Sequence, residues 1–217
     1  MKNNITELVF ILDRSGSMAG MESDCTGGFN SFIEKQKKME GKAFVTTVLF
    51  NQDFITLHDR ADIQKIKPMK KSEFQVGGCT ALIDAMGESI EHTAMIHKYA
   101  RPEDVPEHTM FIIMTDGLEN ASRRYSSDDV KKLVEQKKEL GWEFIFMGAN
   151  IDAVETARHY GIDEDRAVTY VNDSEGAAMN FDAACEAACC MRASAPIGRG
   201  WKRKIEDTTE RKTGSKK

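Results

Sequence analysis

Apolar runs and amphipathic stretches alternate along this chain. ELVFIL (7–12) is a short apolar run, the pattern of a strand covered on both faces. CTGGFNSFIEKQKKME (25–40) follows, with Phe29, Phe32, Ile33 and Gln36 at helical spacing and lysines opposite. KAFVTTVLF and FITLHDR flank Asn51-Gln52-Asp53 and predict a hairpin over 43–60. TALIDAMGESIEHTAMIHKY (80–99) predicts a long helix with Leu82, Ile83, Met86, Ile90 and Met95 on one side and Thr80 at its N-cap. HTMFIIMTDG (108–117) is a second buried run that ends in a carboxylate, like the first. A helix over 126–141, capped at Ser126 or Ser127 and stopped at Gly141, comes next, then the strand WEFIFMGAN. A helix ending at Gly161, the short strand RAVTYV and an Ala-rich helix over 174–193 complete the order.

Strands separated by helices of ten or more residues imply parallel βαβ units. The expected fold is therefore α/β: a doubly wound, Rossmann-like, mostly parallel sheet with helices on both faces. The hairpin adds one antiparallel edge strand. In such sheets ligands sit beyond the carboxyl ends of the strands, near the point where strand order reverses.

That rule makes the strand ends informative. The first run closes on Asp13-Arg14-Ser15-Gly16-Ser17, and the second on Asp116-Gly117. A third loop, VGGCTAL, brings Gly78 and Thr80 to the mouth of a helix. Asp13, Ser15 and Ser17 alternate, so an extended loop turns them the same way, and Gly16 lets the backbone turn tightly between the serines. Asp13, Ser15, Ser17, Thr80 and Asp116 are all hard oxygen donors, with neither sulfur nor imidazole among them. That set selects Mg²⁺, Mn²⁺ or Ca²⁺ over zinc or copper. Hydroxyls carry no formal charge, so an ion held this way stays electrophilic and attracts a carboxylate from another molecule.

These residues resemble a known family. DRSGSM matches the D-x-S-x-S motif of von Willebrand factor A (vWA) domains, and Thr80 in GGCTAL and Asp116 in MTDGLEN match that family's second and third metal-site loops. The resemblance covers roughly residues 5–193. It implies a metal-ion-dependent adhesion site (MIDAS), with Ser15, Ser17 and Thr80 on Mg²⁺ directly, Asp13 and Asp116 acting through water, and Gly16, Gly78 and Gly117 shaping the loops. It also implies divalent-cation-dependent protein binding, in which an Asp or Glu of the partner completes the coordination. Relatives of the intracellular bacterial type further imply a MoxR-type AAA+ ATPase as a candidate partner. Arg14, Glu119, Asn120, Arg123, Arg124 and Tyr125 are candidates for the rim that meets the partner.

Composition adds boundaries. The chain has 217 residues and a net charge of −5. Residues 199–217 hold eight Lys or Arg against three Asp or Glu, which leaves the rest at −10. The acidic body argues against a nucleic-acid footprint; any such binding falls weakly on the basic tail. The expected organisation is a vWA domain over 1–195 and a disordered basic tail over 196–217. No apolar run is long enough to span a membrane and no secretory leader is read at the start, so the expected location is cytoplasmic. Five cysteines in no framework spacing agree with a reducing compartment. Cys185 and Cys189 share a helical face that could hold a metal or an oxidisable pair, but their alanine neighbours favour simple packing. Cys79 sits beside Thr80, where oxidation would disturb the site.

Two other function classes compete with binding. A Mg²⁺-dependent phosphohydrolase with Asp13 as nucleophile wants a second Asp two residues on, where this chain has Ser15. No G-x-S-x-G elbow or Walker sequence is present, and the five histidines are scattered. An enzyme is therefore not expected. A scaffold that binds through its tail alone is the other alternative.

Overall fold

The computed structural model describes residues 4–214. Six strands form one sheet: β1 (Ile5–Asp13), β2 (Lys42–Phe50), β3 (Phe54–Asp62), β4 (His108–Thr115), β5 (Glu143–Ala149) and β6 (Ala167–Tyr170). Their order is β3-β2-β1-β4-β5-β6. Only β3 runs antiparallel, paired to β2 through the predicted hairpin at the sheet's edge. Six α-helices accompany the sheet: α1 (Glu22–Gln36), α2 (Leu82–Tyr99), α3 (Ser127–Glu139), α4 (Ala153–His159), α5 (Ser174–Arg192) and α6 (Arg203–Gly214). The fold is the expected vWA-type α/β architecture.

The apolar strands are explained by the two faces they fill. Every residue of β1 is buried. Leu8, Phe10 and Leu12 point into a core shared with α1 and α5, while Val9 and Ile11 point into the other, shared with α2, α3 and α4. Alternate side chains of one strand thus serve opposite cores, which removes the polar face a half-exposed strand would show. Phe10 meets Phe29 and Phe32 edge-on, with ring centroids 5.2 and 4.9 Å apart.

From β1 the chain builds outward to β2 and β3, then returns to place β4, β5 and β6 on the other side. The reversal falls between β1 and β4, whose ends carry Asp13 and Asp116. The two strands are in parallel register, Leu12 beside Met114.

Two expectations are corrected. Met95 is 56% exposed, so the buried stripe of α2 ends near Thr93 rather than continuing through Met95. Of the segment 196–214, expected as a disordered tail, residues 199–214 are helical and docked. Trp201 and Ile205, four residues apart, are buried against α5 and the sheet. Trp201 Nε1 donates to Asp165 O at 2.9 Å, and Lys202 Nζ donates to Glu164 O and Ala167 O, both at 2.8 Å. Thr209 Oγ1 donates to Thr169 O at 3.2 Å, and Lys212 pairs with Asp173 (2.6 Å) and Glu175 (2.7 Å). Charge alone suggested a solvated tail; the lysines instead serve as donors to backbone carbonyls and as partners to the acidic start of α5. Ser215, Lys216 and Lys217 of the expected tail, like Met1, Lys2 and Asn3, lie outside the described residues. Among the described residues no helix is long and apolar enough to cross a membrane.

Candidate metal centre

Asp13 is the last residue of β1, and both its carboxylate oxygens are fixed. Ser15 N–H donates to Oδ1 at 2.7 Å, and Thr115 Oγ1, at the end of β4, donates to Oδ2 at 2.7 Å. A short 3₁₀ turn, Gly16–Met18, carries the serines. Their hydroxyls share a hydrogen bond of 3.0 Å, and Ser17 Oγ donates to Asp116 Oδ1 at 2.5 Å. Asn172, on the loop into α5, donates to Asp116 Oδ2 at 2.8 Å. A Cβ added at Gly117 would stand 3.4 Å from Ser17 Oγ and 3.5 Å from Thr80 Oγ1. Gly117 therefore lies against both hydroxyls, and the five predicted donors converge at the switch point.

The loops are tied together by their backbones. Arg14 N donates to Phe50 O (2.8 Å), Gly16 N to Gly78 O (3.0 Å) and Gly77 N to Arg14 O (2.9 Å). Gly78 has φ +82°, and a Cβ there would fall 1.7 Å from Gln52 Oε1, which accepts the Cys79 N–H at 3.1 Å. A side chain at 78 thus meets both a left-handed backbone and an occupied space.

Thr80 is not the N-cap of α2; Ala81 occupies that place without a side-chain bond. Thr80 is instead held at its backbone, with its N–H on Asn120 Oδ1 (2.9 Å) and its carbonyl accepting from Asn120 N (3.0 Å) and Ala121 N (3.2 Å). Among the described residues its hydroxyl makes no hydrogen bond, which leaves it available to a ligand. The orphan donors at the start of α2 are satisfied from the third loop: Ile83 N on Glu119 Oε2 (2.9 Å) and Asp84 N on Ser122 Oγ (3.0 Å).

The electrostatics are unusual for a fold held only by packing. Asp13 is 0% and Asp116 1% exposed. Among the described residues no Lys, Arg or His lies within ion-pairing distance of either. Burial pushes the Asp116 carboxyl above its usual range; the Ser17 hydrogen bond pulls it down, and the charge of Asp13 adds to the rise. Buried carboxylates without a counter-charge cost several kcal/mol each, on the order of the penalty for a broken buried ion pair. A hard dication among two carboxylates and three hydroxyls removes that cost, so the residues present fit Mg²⁺, Mn²⁺ or Ca²⁺. No group of three His, Cys, Asp or Glu competes for a metal among the described residues.

The candidate rim residues have internal partners. Both Glu119 oxygens are used within the loop and on α2, Oε1 accepting Ala121 N and Ser122 N at 2.8 and 2.7 Å. Asn120 positions Thr80. Arg14 bridges Gln75 O (3.1 Å) and Asn51 Oδ1 (3.4 Å), bracing the first loop against the second. Arg124 pairs with Glu88, and Tyr125 OH donates to Glu91 at 2.7 Å, so both lie along α2. Arg123 is exposed, its N–H on Asp84. Asp84 itself collects the N–H groups of 123, 124 and 125 at 2.8, 2.9 and 3.0 Å. Sequence reasoning missed Asp84, Thr115, Asn120's role in holding Thr80, and Asn172. Thr115 and Asn120, both within MTDGLEN, stood where a motif pointed; Asp84 and Asn172 did not. The histidines are engaged elsewhere: His58 with Thr47, His92 with Asp59, His97 with Glu7, His108 with Ser194 and His159 with Glu155.

No family model matches the sequence, and no curated protein matches it. The fold does match solved structures. Proximal thread matrix protein 1 from the mussel byssus, solved with a zinc-occupied MIDAS motif, aligns over 85% of this chain and 46% of its own, with 15% identity and TM-score 0.57. A von Willebrand factor type A protein from Catenulispora acidiphila aligns over 85% and 42%, with 18% identity and TM-score 0.55. The von Willebrand factor domain of the pilus tip protein Mfa5 from Porphyromonas gingivalis aligns over 89% and 97%, with 10% identity and TM-score 0.61. The chain spans less than half the length of the first two. At these identities the likeness establishes the fold, which is that of a vWA domain.

Proposed function

We propose that this chain is a divalent-cation-dependent protein-binding module, with the site formed by Asp13, Ser15, Ser17, Thr80 and Asp116. The observation that carries the reading is the pair of buried carboxylates, without a Lys, Arg or His partner among the described residues, set beside three hydroxyls at the carboxyl end of the sheet. A bound Mg²⁺ would supply an electrophilic position that accepts a carboxylate from the partner. The chain's own residues fix the geometry. Thr115 and the Ser15 N–H hold Asp13, Asn172 orients Asp116, and Asn120 sets Thr80. Ser15, Ser17 and Thr80 provide neutral oxygens and so leave the charge of the ion incompletely offset. The zinc-occupied MIDAS named for the mussel protein supports a divalent cation at this place in the fold.

The reading is tested by calorimetric titration of Mn²⁺ and Mg²⁺ into the wild type and Asp13→Ala, followed by selection of displayed peptides with Mn²⁺ or EDTA. Wild type should bind one ion and Asp13→Ala bind it at least about tenfold more weakly, a loss of about 1.4 kcal/mol. Metal-dependent peptides should be enriched in Asp or Glu. Equal binding by Asp13→Ala, or peptides selected equally in EDTA, overturns it.

A further inference from the structure

A second group of ligating atoms lies between α1 and α5, separate from the proposed centre. Cys185 and Cys189 stand one turn apart on α5 and face the end of α1. Gln36, the last residue of α1, places Nε2 3.3 Å from Cys185 Sγ and 3.2 Å from Cys189 Sγ. Met39, just beyond α1, brings Sδ to 3.8 Å from Cys189 Sγ. The two thiols therefore share one amide, and the thioether stands against the Cys189 thiol. The two thiols border a cleft of about 380 Å³ lined also by Lys35, Met179, Asp182 and Trp201, which gives access from solvent.

The orientation of Gln36 is fixed by a buried cation. Arg192 is 6% exposed and donates Nη1 to Gln36 O (2.8 Å) and Gln36 Oε1 (3.0 Å). With Oε1 committed to a guanidinium, the amide turns its N–H groups toward the two sulfurs and the Cys185 carbonyl, which Nε2 reaches at 3.3 Å. Arg192 Nη2 reaches the carbonyls of Met39, Glu40 and Gly41 at 3.4, 2.9 and 3.1 Å. Among the described residues no carboxylate lies within ion-pairing distance of Arg192. The charge of a buried guanidinium is thus met by dipoles alone, and the two thiols are the neighbouring groups able to carry a negative charge.

We propose that Cys185, Cys189 and Met39 form a binding site for a soft monovalent metal ion of the Cu(I) type. Thiolate and thioether donors select such ions over the hard dications of the other centre. On binding, each thiol gives up its proton to solvent, and two thiolates with one monovalent cation leave a net charge of −1. That charge faces Arg192 and supplies the anion it lacks. The Gln36 N–H groups then donate to the coordinated sulfurs and orient them, the part an outer partner plays around a metal. Packing alone explains buried cysteines but not an amide aimed at both, with an unpaired guanidinium behind it.

The test uses the full chain, reduced and under nitrogen, with Cys79→Ser and Cys190→Ser introduced to remove two other accessible thiols. Cu(I) is offered as its coloured bicinchoninate complex, and withdrawal is read as loss of colour. The background protein should take one ion per chain. Cys185→Ser or Cys189→Ser should abolish withdrawal at the same chelator concentration. Met39→Leu should weaken it by at least about tenfold, since losing a direct ligand costs no less than losing an outer partner. X-ray absorption of the loaded background, which carries no change in the site, should show three sulfur neighbours. Unchanged withdrawal by both serine variants, or a spectrum with two sulfurs or with oxygen or nitrogen in the third place, overturns the proposal.

Discussion

Replacing Gly78 by Ala should injure the protein in two separable ways. The first is backbone strain: φ is +82°, where an L side chain costs about 1–2 kcal/mol. The second is the collision of the new Cβ, 1.7 Å from Gln52 Oε1, which drives Gln52 off the Cys79 N–H. Losing that hydrogen bond adds about 0.5–1.5 kcal/mol. Together the change should cost about 1.5–3.5 kcal/mol, a fall in Tm of roughly 3–14 °C for a domain of this size. Gly20 supplies the control, since it has φ +92° and nothing within 4 Å of an added Cβ. Gly20→Ala should show the backbone part alone, about 1–2 kcal/mol. Urea unfolding of both variants, and of Gly78→Ala combined with Gln52→Ala, separates the contributions. Because Gly78 O holds the Gly16 N–H, Gly78→Ala should also weaken Mn²⁺ binding, whereas Gly20→Ala should not. If Gly78→Ala proves no more destabilising than Gly20→Ala, Gln52 does not brace the second loop and the reasoning fails.

Asp116→Asn should raise the stability of the metal-free protein and abolish the stabilisation seen on adding Mn²⁺, which for wild type at a hundredfold excess over Kd should reach about 2.7 kcal/mol; thermal melts with and without metal check both signs. Trp201→Ala should cost about 3–5 kcal/mol through the cavity it leaves, and hydrogen exchange should show α6 released before the sheet. Asp173 is held below the usual carboxylate range chiefly by its hydrogen bond to Lys212. Its contribution is therefore complete above its unfolded pKa and is lost as pH falls through the lower folded value, so α6 amides should lose protection below about pH 4. Lys212→Met should remove that dependence.

The strands other than β3 were legible because each fills two cores, so the period-2 polarity of a half-exposed strand never competed with the apolar signal; β3, an exposed to half-buried edge strand, was legible from its hairpin turn. The convergence of Asp13, Ser15, Ser17, Thr80 and Asp116 was legible because local spacing and strand ends placed them. What escaped reading was the set of long-range polar partners. Asp84 reaches across to residues 123–125, Asn172 comes from the loop before α5, and Glu119 satisfies α2 from a different segment. None of these shows a period or a spacing. Met95 was misjudged because helical periodicity continues past the point where the helix runs beyond its packing partner. The docked segment after Gly198 was missed because a count of charges hid Trp201 and Ile205.

That docked segment has a consequence at the rim of the sheet. β6 is the last strand, so one side of its backbone has no neighbouring strand to pair with. Such an open side is a template for another chain's strand and for aggregation. Here its carbonyls are engaged from within: Lys202 on Ala167 O, Thr209 on Thr169 O, with Trp201 on Asp165 O just upstream. The docked C-terminal segment, α6 and the turn before it, thereby occupies the edge on which the sheet would grow. A chain cut after Gly198 would retain every residue of the proposed centre and still be a worse protein, because it would offer β6 to its own copies.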